Sequence, residues 1–102
     1  MIVEYTRYKI EEQRRAAFLD DYRKAAESLK ASKNCLAHEL TQCTEDQDYY
    51  VLRLEWDSEE GHLKGFRNSP EFKVFFTLVR PYVGNIEEMR HYRLTDVKGR
   101  KE

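Results

Sequence analysis

The chain has 102 residues, the size of a single domain, and 36% of them are charged although the formal net charge is only -1. Because both signs of charge are interspersed, the sequence lacks the basic stripe that binds a nucleic acid. It also lacks the ~20 consecutive apolar residues of a membrane span and the apolar segment of a signal peptide. We therefore expect a cytoplasmic domain that binds neither nucleic acid nor membrane.

The first half of the chain predicts two strands separated by a helix. Residues 2–9 are rich in β-branched and aromatic types, which are typical of a strand. Residues 11–32 carry apolar side chains at helical spacing on an otherwise charged surface. Residues 35–44 alternate in polarity and predict the second strand.

The second half predicts a strand, two helical segments and a final strand. A polar turn leads into an apolar strand over residues 49–56. A short helix runs to about Asn68. Ser69 and Pro70 then begin a second helical segment, because serine caps helices and proline fits their first position. Residues 86–94 predict the last strand.

This β-α-β-β-α-β order is typical of an α+β, ferredoxin-like fold, in which both helices cover one face of an antiparallel sheet. We expect one domain over residues 1–95 and a flexible tail over residues 96–102. Cys35 and Cys43 fall in one predicted strand, too far apart for a disulfide, which favours reduced thiols in a cytoplasmic protein.

Both faces of the predicted sheet carry apolar side chains, although the helices can cover only one of them. In the third strand, Tyr49 and Val51 point away from the residues that alternate with them, which are Tyr50, Leu52, Leu54 and Trp56. Since the chain has no further element to cover the second face, we expect a homodimer in which two sheets pack on each other.

The sequence contains no glycine-rich nucleotide-binding motif and no nucleophile-elbow serine. Its histidines, His38, His62 and His91, are scattered without the spacing of metal ligands, so we expect neither a metal nor another cofactor. His38 and His91 fall in the middle of predicted strands. Each is either a general base or a hydrogen-bonded structural residue.

An aromatic cluster in the second half of the chain is the candidate ligand-binding region. Gly61 and Gly65 precede it, and they either allow close packing or weaken a short helix that covers a pocket. The aromatic side chains belong to the core and together can line a flat apolar slot for an aromatic ligand; they are Trp56, Phe66, Phe72, Phe75 and Phe76.

Three segments of the chain resemble the antibiotic biosynthesis monooxygenase family: the strand Met1–Tyr8, the run Leu54–Glu60 and the helix restart Ser69–Phe72. The resemblance extends over about residues 1–94 in the same element order. It implies a dimeric α+β barrel. In this family some members oxidise polyphenols or quinols with O2 and no cofactor, some degrade haem, and others act on signalling molecules.

Several family positions hold other residues in this chain. Where the haem-degrading branch has an Asn, a Trp and a His, the chain has Thr6, Phe66 and Phe76, which disfavours haem degradation. Many other members have a His at the position of Phe66. The polar groups of an active site must therefore come from elsewhere, and the candidates are His38, His62, His91 and Tyr82.

The leading hypothesis is a monooxygenase that uses neither metal nor flavin and acts with O2 on an electron-rich aromatic such as a quinol or polyphenol. Its pocket would lie between the sheet and residues 58–82, with Thr6 and Tyr82 joining the aromatic cluster as substrate contacts. His38 or His91 would remove a phenolic proton. The alternative is a non-catalytic dimeric barrel that binds a small hydrophobic ligand or a partner protein.

Overall fold

The computed structural model describes residues 1–101. Its strands are β1 (Ile2–Lys9), β2 (Cys35–Gln42), β3 (Tyr49–Trp56) and β4 (Ile86–Arg93). Helix α1 spans Arg15–Ala31, helix α2 spans Pro70–Val79, and short helical turns lie at Glu12–Arg14, Gly61–Gly65, Phe66–Asn68 and Arg80–Asn85. Within the described part of the chain, no helix combines the length and the apolar character needed to cross a membrane.

The strands form one antiparallel sheet in the order β2-β3-β1-β4. Both helices pack on the same face of this sheet. Phe18 of α1 lies against Tyr50 of β3, with ring centroids 5.0 Å apart, and Phe75 of α2 joins the same buried cluster. The α+β, ferredoxin-like fold predicted from the element order is therefore confirmed.

The ends of the elements follow local chemistry. Ser69 caps α2 by accepting a hydrogen bond from the Phe72 backbone N–H, and Pro70 occupies the first helical position, as predicted. Two strands end slightly earlier than predicted: β2 ends at Gln42 and not at residue 44, and β4 ends at Arg93 and not at residue 94. Cys35 and Cys43 are both free.

Alternation along β3 separates the two faces of the sheet as predicted. Tyr49 and Val51 are half-buried on the outer face, whereas the residues that alternate with them are buried beneath the helices; these are Tyr50, Leu52, Leu54 and Trp56. On β1 the buried face carries two polar side chains, Glu4 and Thr6, each only 2% exposed. The core therefore contains two buried polar side chains, and each needs a hydrogen-bond partner.

The outer face of the sheet is partly aromatic and partly charged. Tyr5 and Tyr92 meet edge to face, with ring centroids 5.4 Å apart, and both remain exposed. Next to them, Arg53 forms an ion pair with Glu55 at 2.7 Å. The sequence predicts a homodimer contact on this face, and the dimer stays a prediction.

Candidate active site

A cavity of about 260 Å³ lies between the inner face of the sheet and the segment that contains α2. Since an apolar cavity of roughly 150 Å³ is large enough for benzene, this one has room for a ligand of one or two aromatic rings. Its apolar walls come from β3, α2 and the turn before α2; they include Leu52, Leu54, Trp56, Phe66, Phe72, Phe75 and Phe76.

Three apolar side chains mark the open side of this cavity. Phe76, Val83 and Met89 line it and are each about 40% exposed. The register of β4 contributes to this arrangement. Arg7 pairs with Glu88 but Tyr8 pairs with Ile86, so β4 has one extra residue at this point. The extra residue allows both Ile86 and Met89 to face the cavity.

The polar end of the cavity is built around the buried carboxylate of Glu4. The Thr6 hydroxyl donates to Glu4 Oε2 at 2.7 Å, and the Trp56 indole N–H donates to Oε1 at 3.0 Å. His62 Nδ1 lies 3.3 Å from the same Oε1. These contacts provide hydrogen-bond partners for the carboxylate, whose burial away from water would otherwise cost much free energy.

His62 is held by contacts on two sides. Its ring stacks on Trp56 at a centroid distance of 4.4 Å, and its Nδ1 lies 2.6 Å from His91 Nε2. Burial of the ring, with further contributions from Arg67 and His91, lowers the pKa of His62 to about 3. The imidazole is therefore neutral at pH 7, and its contact with Glu4 is not an ion pair.

The backbone before α2 places His62 at this position. Gly61–Gly65 forms one π-helical turn, a geometry that is frequent at functional sites. The turn packs closely on the loop after α1, since a Cβ on Gly65 would lie 2.5 Å from Asn34 Oδ1. Asn34 in turn donates to Asp57 Oδ2 at 2.9 Å. Of the two roles considered for the glycines, close packing is the one that these distances support.

Arg67 supplies a positive charge beside the aromatic walls. It lines the cavity and is exposed to solvent, one position after the buried Phe66. A cation at this place favours a ligand with negative charge, such as a phenolate, over its neutral form.

The cavity contains most of the residues singled out in the sequence. His62 lines it together with Thr6, Trp56, Phe66, Phe72 and Phe76. His91 stands behind His62, in contact with its Nδ1. Phe66 occupies a wall position and is nearly inaccessible.

Two of the predicted residues lie elsewhere. His38 is exposed on β2 and lines a second cavity, of about 250 Å³, between α1 and the β2 side of the sheet. Tyr82 packs on Phe18 and donates its hydroxyl to Asp21 Oδ2 at 2.6 Å, so it points towards α1. Neither residue is placed to contact a ligand in the first cavity.

Two residues of the site, Glu4 and Arg67, are not among those predicted from the sequence. Glu4 shares one face of β1 with Ile2, Thr6 and Tyr8, so its position on the inner face could have been deduced from period two. An acidic residue on a buried face is unusual enough to suggest a function. Arg67 had no comparable signal, because exposed arginines are common.

Comparison with known proteins identifies the family. The sequence model of the antibiotic biosynthesis monooxygenases matches residues 1–78. The chain belongs to the antibiotic biosynthesis monooxygenase family. Among curated proteins, this family member is similar to the uncharacterised protein YczJ of Bacillus subtilis strain 168. The two are 29% identical over 93 residues, which cover 91% of this chain and 98% of YczJ.

Solved structures agree on the fold of this antibiotic biosynthesis monooxygenase family member. A proposed antibiotic biosynthesis monooxygenase from Bordetella bronchiseptica is 22% identical with a TM-score of 0.77, covering 92% of this chain and 96% of that one. A conserved protein from Methanosarcina mazei Go1 is 20% identical with a TM-score of 0.75, covering 92% of both chains. At these identities the likeness establishes the fold.

Proposed function

We propose that this protein is a monooxygenase that oxidises an electron-rich aromatic, such as a quinol or polyphenol, with O2 and without haem or flavin. The observation that carries the proposal is the cavity itself: apolar and aromatic walls end in the buried cluster of Glu4, His62 and His91. Such a cavity can hold an aromatic ring with its hydroxyl group towards the cluster.

The cluster of Glu4, His62 and His91 would act together with Arg67 to activate the substrate. His62 passes the phenolic proton through its Nδ1 contact to the half-buried His91, and the positive charge of Arg67 stabilises the phenolate that remains. The electron-rich ring then transfers electrons to O2 and forms a carbon–oxygen bond. One oxygen atom ends as a ring carbonyl and the other leaves as water, so that a phenol yields a quinone. Family membership supports the oxygen chemistry, and the geometry supports the binding mode.

The test is oxygen uptake by the purified, chelator-treated protein with a panel of one- and two-ring quinols and no added cofactor. We expect His62→Gln to lower kcat about 100-fold, because the variant interrupts the proton path to His91. His38→Gln is the matched control, because His38 lies in the other cavity and should leave kcat unchanged. Absence of uptake with every quinol that binds in the cavity would contradict the proposal.

A second candidate function is non-catalytic binding of a small hydrophobic ligand, which the predominance of apolar wall residues favours. Trp56 makes the binding step directly measurable, because it is the only tryptophan of the chain and it lines the cavity. A bound aromatic should quench or shift its fluorescence. Quenching at micromolar concentrations without any oxygen uptake would support this candidate over the monooxygenase.

The homodimer belongs to the same proposal. Exposed aromatic side chains on the outer face of the sheet, Tyr5 and Tyr92, support a contact between two sheets. We expect light scattering to give a dimeric mass, and we expect Tyr5→Glu to produce a monomer because it places a charge in the contact. Lys64→Glu, exposed on the turn before α2, is the control. A monomeric wild-type protein would refute the dimer.

A further inference from the structure

Three side chains from distant parts of the sequence converge at the polar end of the cavity. His62 Nδ1 lies 2.6 Å from His91 Nε2 and 3.3 Å from Glu4 Oε1. The three ligand atoms all lie within 4.8 Å of one another. We infer that Glu4, His62 and His91 form a binding site for a single divalent transition-metal ion.

The donor set has the chemistry that such an ion requires. Two imidazoles and one carboxylate are typical ligands of Zn²⁺, and the same set binds Fe²⁺ and Co²⁺. Bonds of about 2.0–2.2 Å place neighbouring ligand atoms roughly 3.3–3.6 Å apart around one tetrahedral ion. The separation of His62 and Glu4 already fits this range. His91 lies 2.6 Å from His62 and has to withdraw by about 0.7 Å to reach this spacing, and its half-buried position on the edge strand β4 allows that movement.

The surroundings of the three side chains fix their orientation. Thr6 and Trp56 each donate a hydrogen bond to a different oxygen of Glu4, which holds the carboxylate in place. Stacking on Trp56 fixes the ring of His62. Contacts of this kind orient metal ligands and strengthen metal binding in proteins.

The position of the site suggests an ion that a ligand can reach. Glu4 and His62 line the cavity, and three protein ligands leave at least one coordination position of a transition metal open. The inference uses side chains of the proposed active site, yet it does not depend on the proposed oxidation, because metal binding is measured without substrate. A redox-inert ion bound at Nδ1 of His62 would block the oxygen uptake proposed for the metal-free protein.

The test is calorimetric titration of tag-free, chelator-treated protein with Zn²⁺, together with the visible absorption of added Co²⁺. We expect one ion per chain, and an affinity that falls at least 100-fold in His91→Ala and in Glu4→Gln. His38→Ala should bind as the wild type does, because His38 lies in the second cavity. Circular dichroism confirms that each variant is folded.

Two results would overturn the site: His91→Ala binding Zn²⁺ as tightly as wild type, or His38→Ala weakening the binding as much as His91→Ala does. His91 is the decisive position if Glu4→Gln does not fold, since its side chain is only half-buried. Failure of metal binding leaves oxygen uptake by the chelator-treated protein unaffected. The two proposals can therefore fail separately.

Discussion

Replacement of Thr6 by valine isolates the hydroxyl that supports the buried carboxylate of Glu4. Thr6 Oγ1 donates to Glu4 Oε2 at 2.7 Å, and both residues are only 2% exposed. Valine has nearly the shape of threonine, so the substitution removes the donor with little change of packing. Hydrogen bonds to charged groups contribute about 1.5–3 kcal/mol, and an oxygen left without a partner cannot recover this from water.

A smaller effect acts in the opposite direction. Valine buries a methyl group where threonine has a hydroxyl, which stabilises the folded state by roughly 0.8 kcal/mol. The expected net result for Thr6→Val is a loss of about 1–2 kcal/mol in the free energy of unfolding. Thr6→Ser is the matched control, since it keeps the donor and loses only a methyl group, at about 1 kcal/mol.

Urea unfolding followed by circular dichroism measures both variants, and an unchanged m-value confirms that the comparison concerns stability alone. A Thr6→Val protein as stable as wild type, or more stable, would refute the reasoning. In that case the carboxylate does not depend on the Thr6 hydroxyl, and the polar end of the cavity is less rigid than its hydrogen bonds indicate.

Three further predictions concern the frame of the cavity. Gly65→Ala should lower the free energy of unfolding by about 1 kcal/mol, because the new methyl group displaces Asn34. In an Asn34→Ala background the same substitution should raise the free energy of unfolding by up to about 1 kcal/mol, because alanine favours a helix more than glycine does. If urea unfolding shows the same change in both backgrounds, the contact between Gly65 and Asn34 is contradicted. Burial raises the pKa of Tyr8 to about 12 and that of Tyr22 also above its usual value. The stability they contribute is complete below about pH 10 and is lost as the pH rises through 12. Alkaline unfolding should therefore depend less steeply on pH in Tyr8→Phe, and an identical profile would be the contrary result. Ser69→Ala should lose about 1 kcal/mol in urea unfolding through the missing cap of α2, whereas Ser69→Thr should stay close to wild type; equal stability of all three proteins would refute the cap.

The element order and the faces of the sheet follow from the sequence alone. Period two along residues 49–56 separates buried from outer side chains in β3, and helical spacing over residues 11–32 predicts the helix that the structure shows as α1, Arg15–Ala31. Ser69 and Pro70 fix the start of α2, because capping and the missing proline N–H are local effects. Such features need no information about distant residues, which explains why the ferredoxin-like fold could be predicted.

The candidate site depended on tertiary structure. His38 and His91 both fall in the middle of predicted strands, and only the strand order separates them. His91 of β4 pairs with Glu4 of β1, whereas His38 of β2, the opposite edge strand, pairs with Leu54 of β3. Residues 61–65 then bring His62 between Glu4 and His91. The sequence thus determined the elements and the apolar character of the pocket. The meeting of two imidazoles and a carboxylate required the long-range pairing of β1 with β4, which no local pattern encodes.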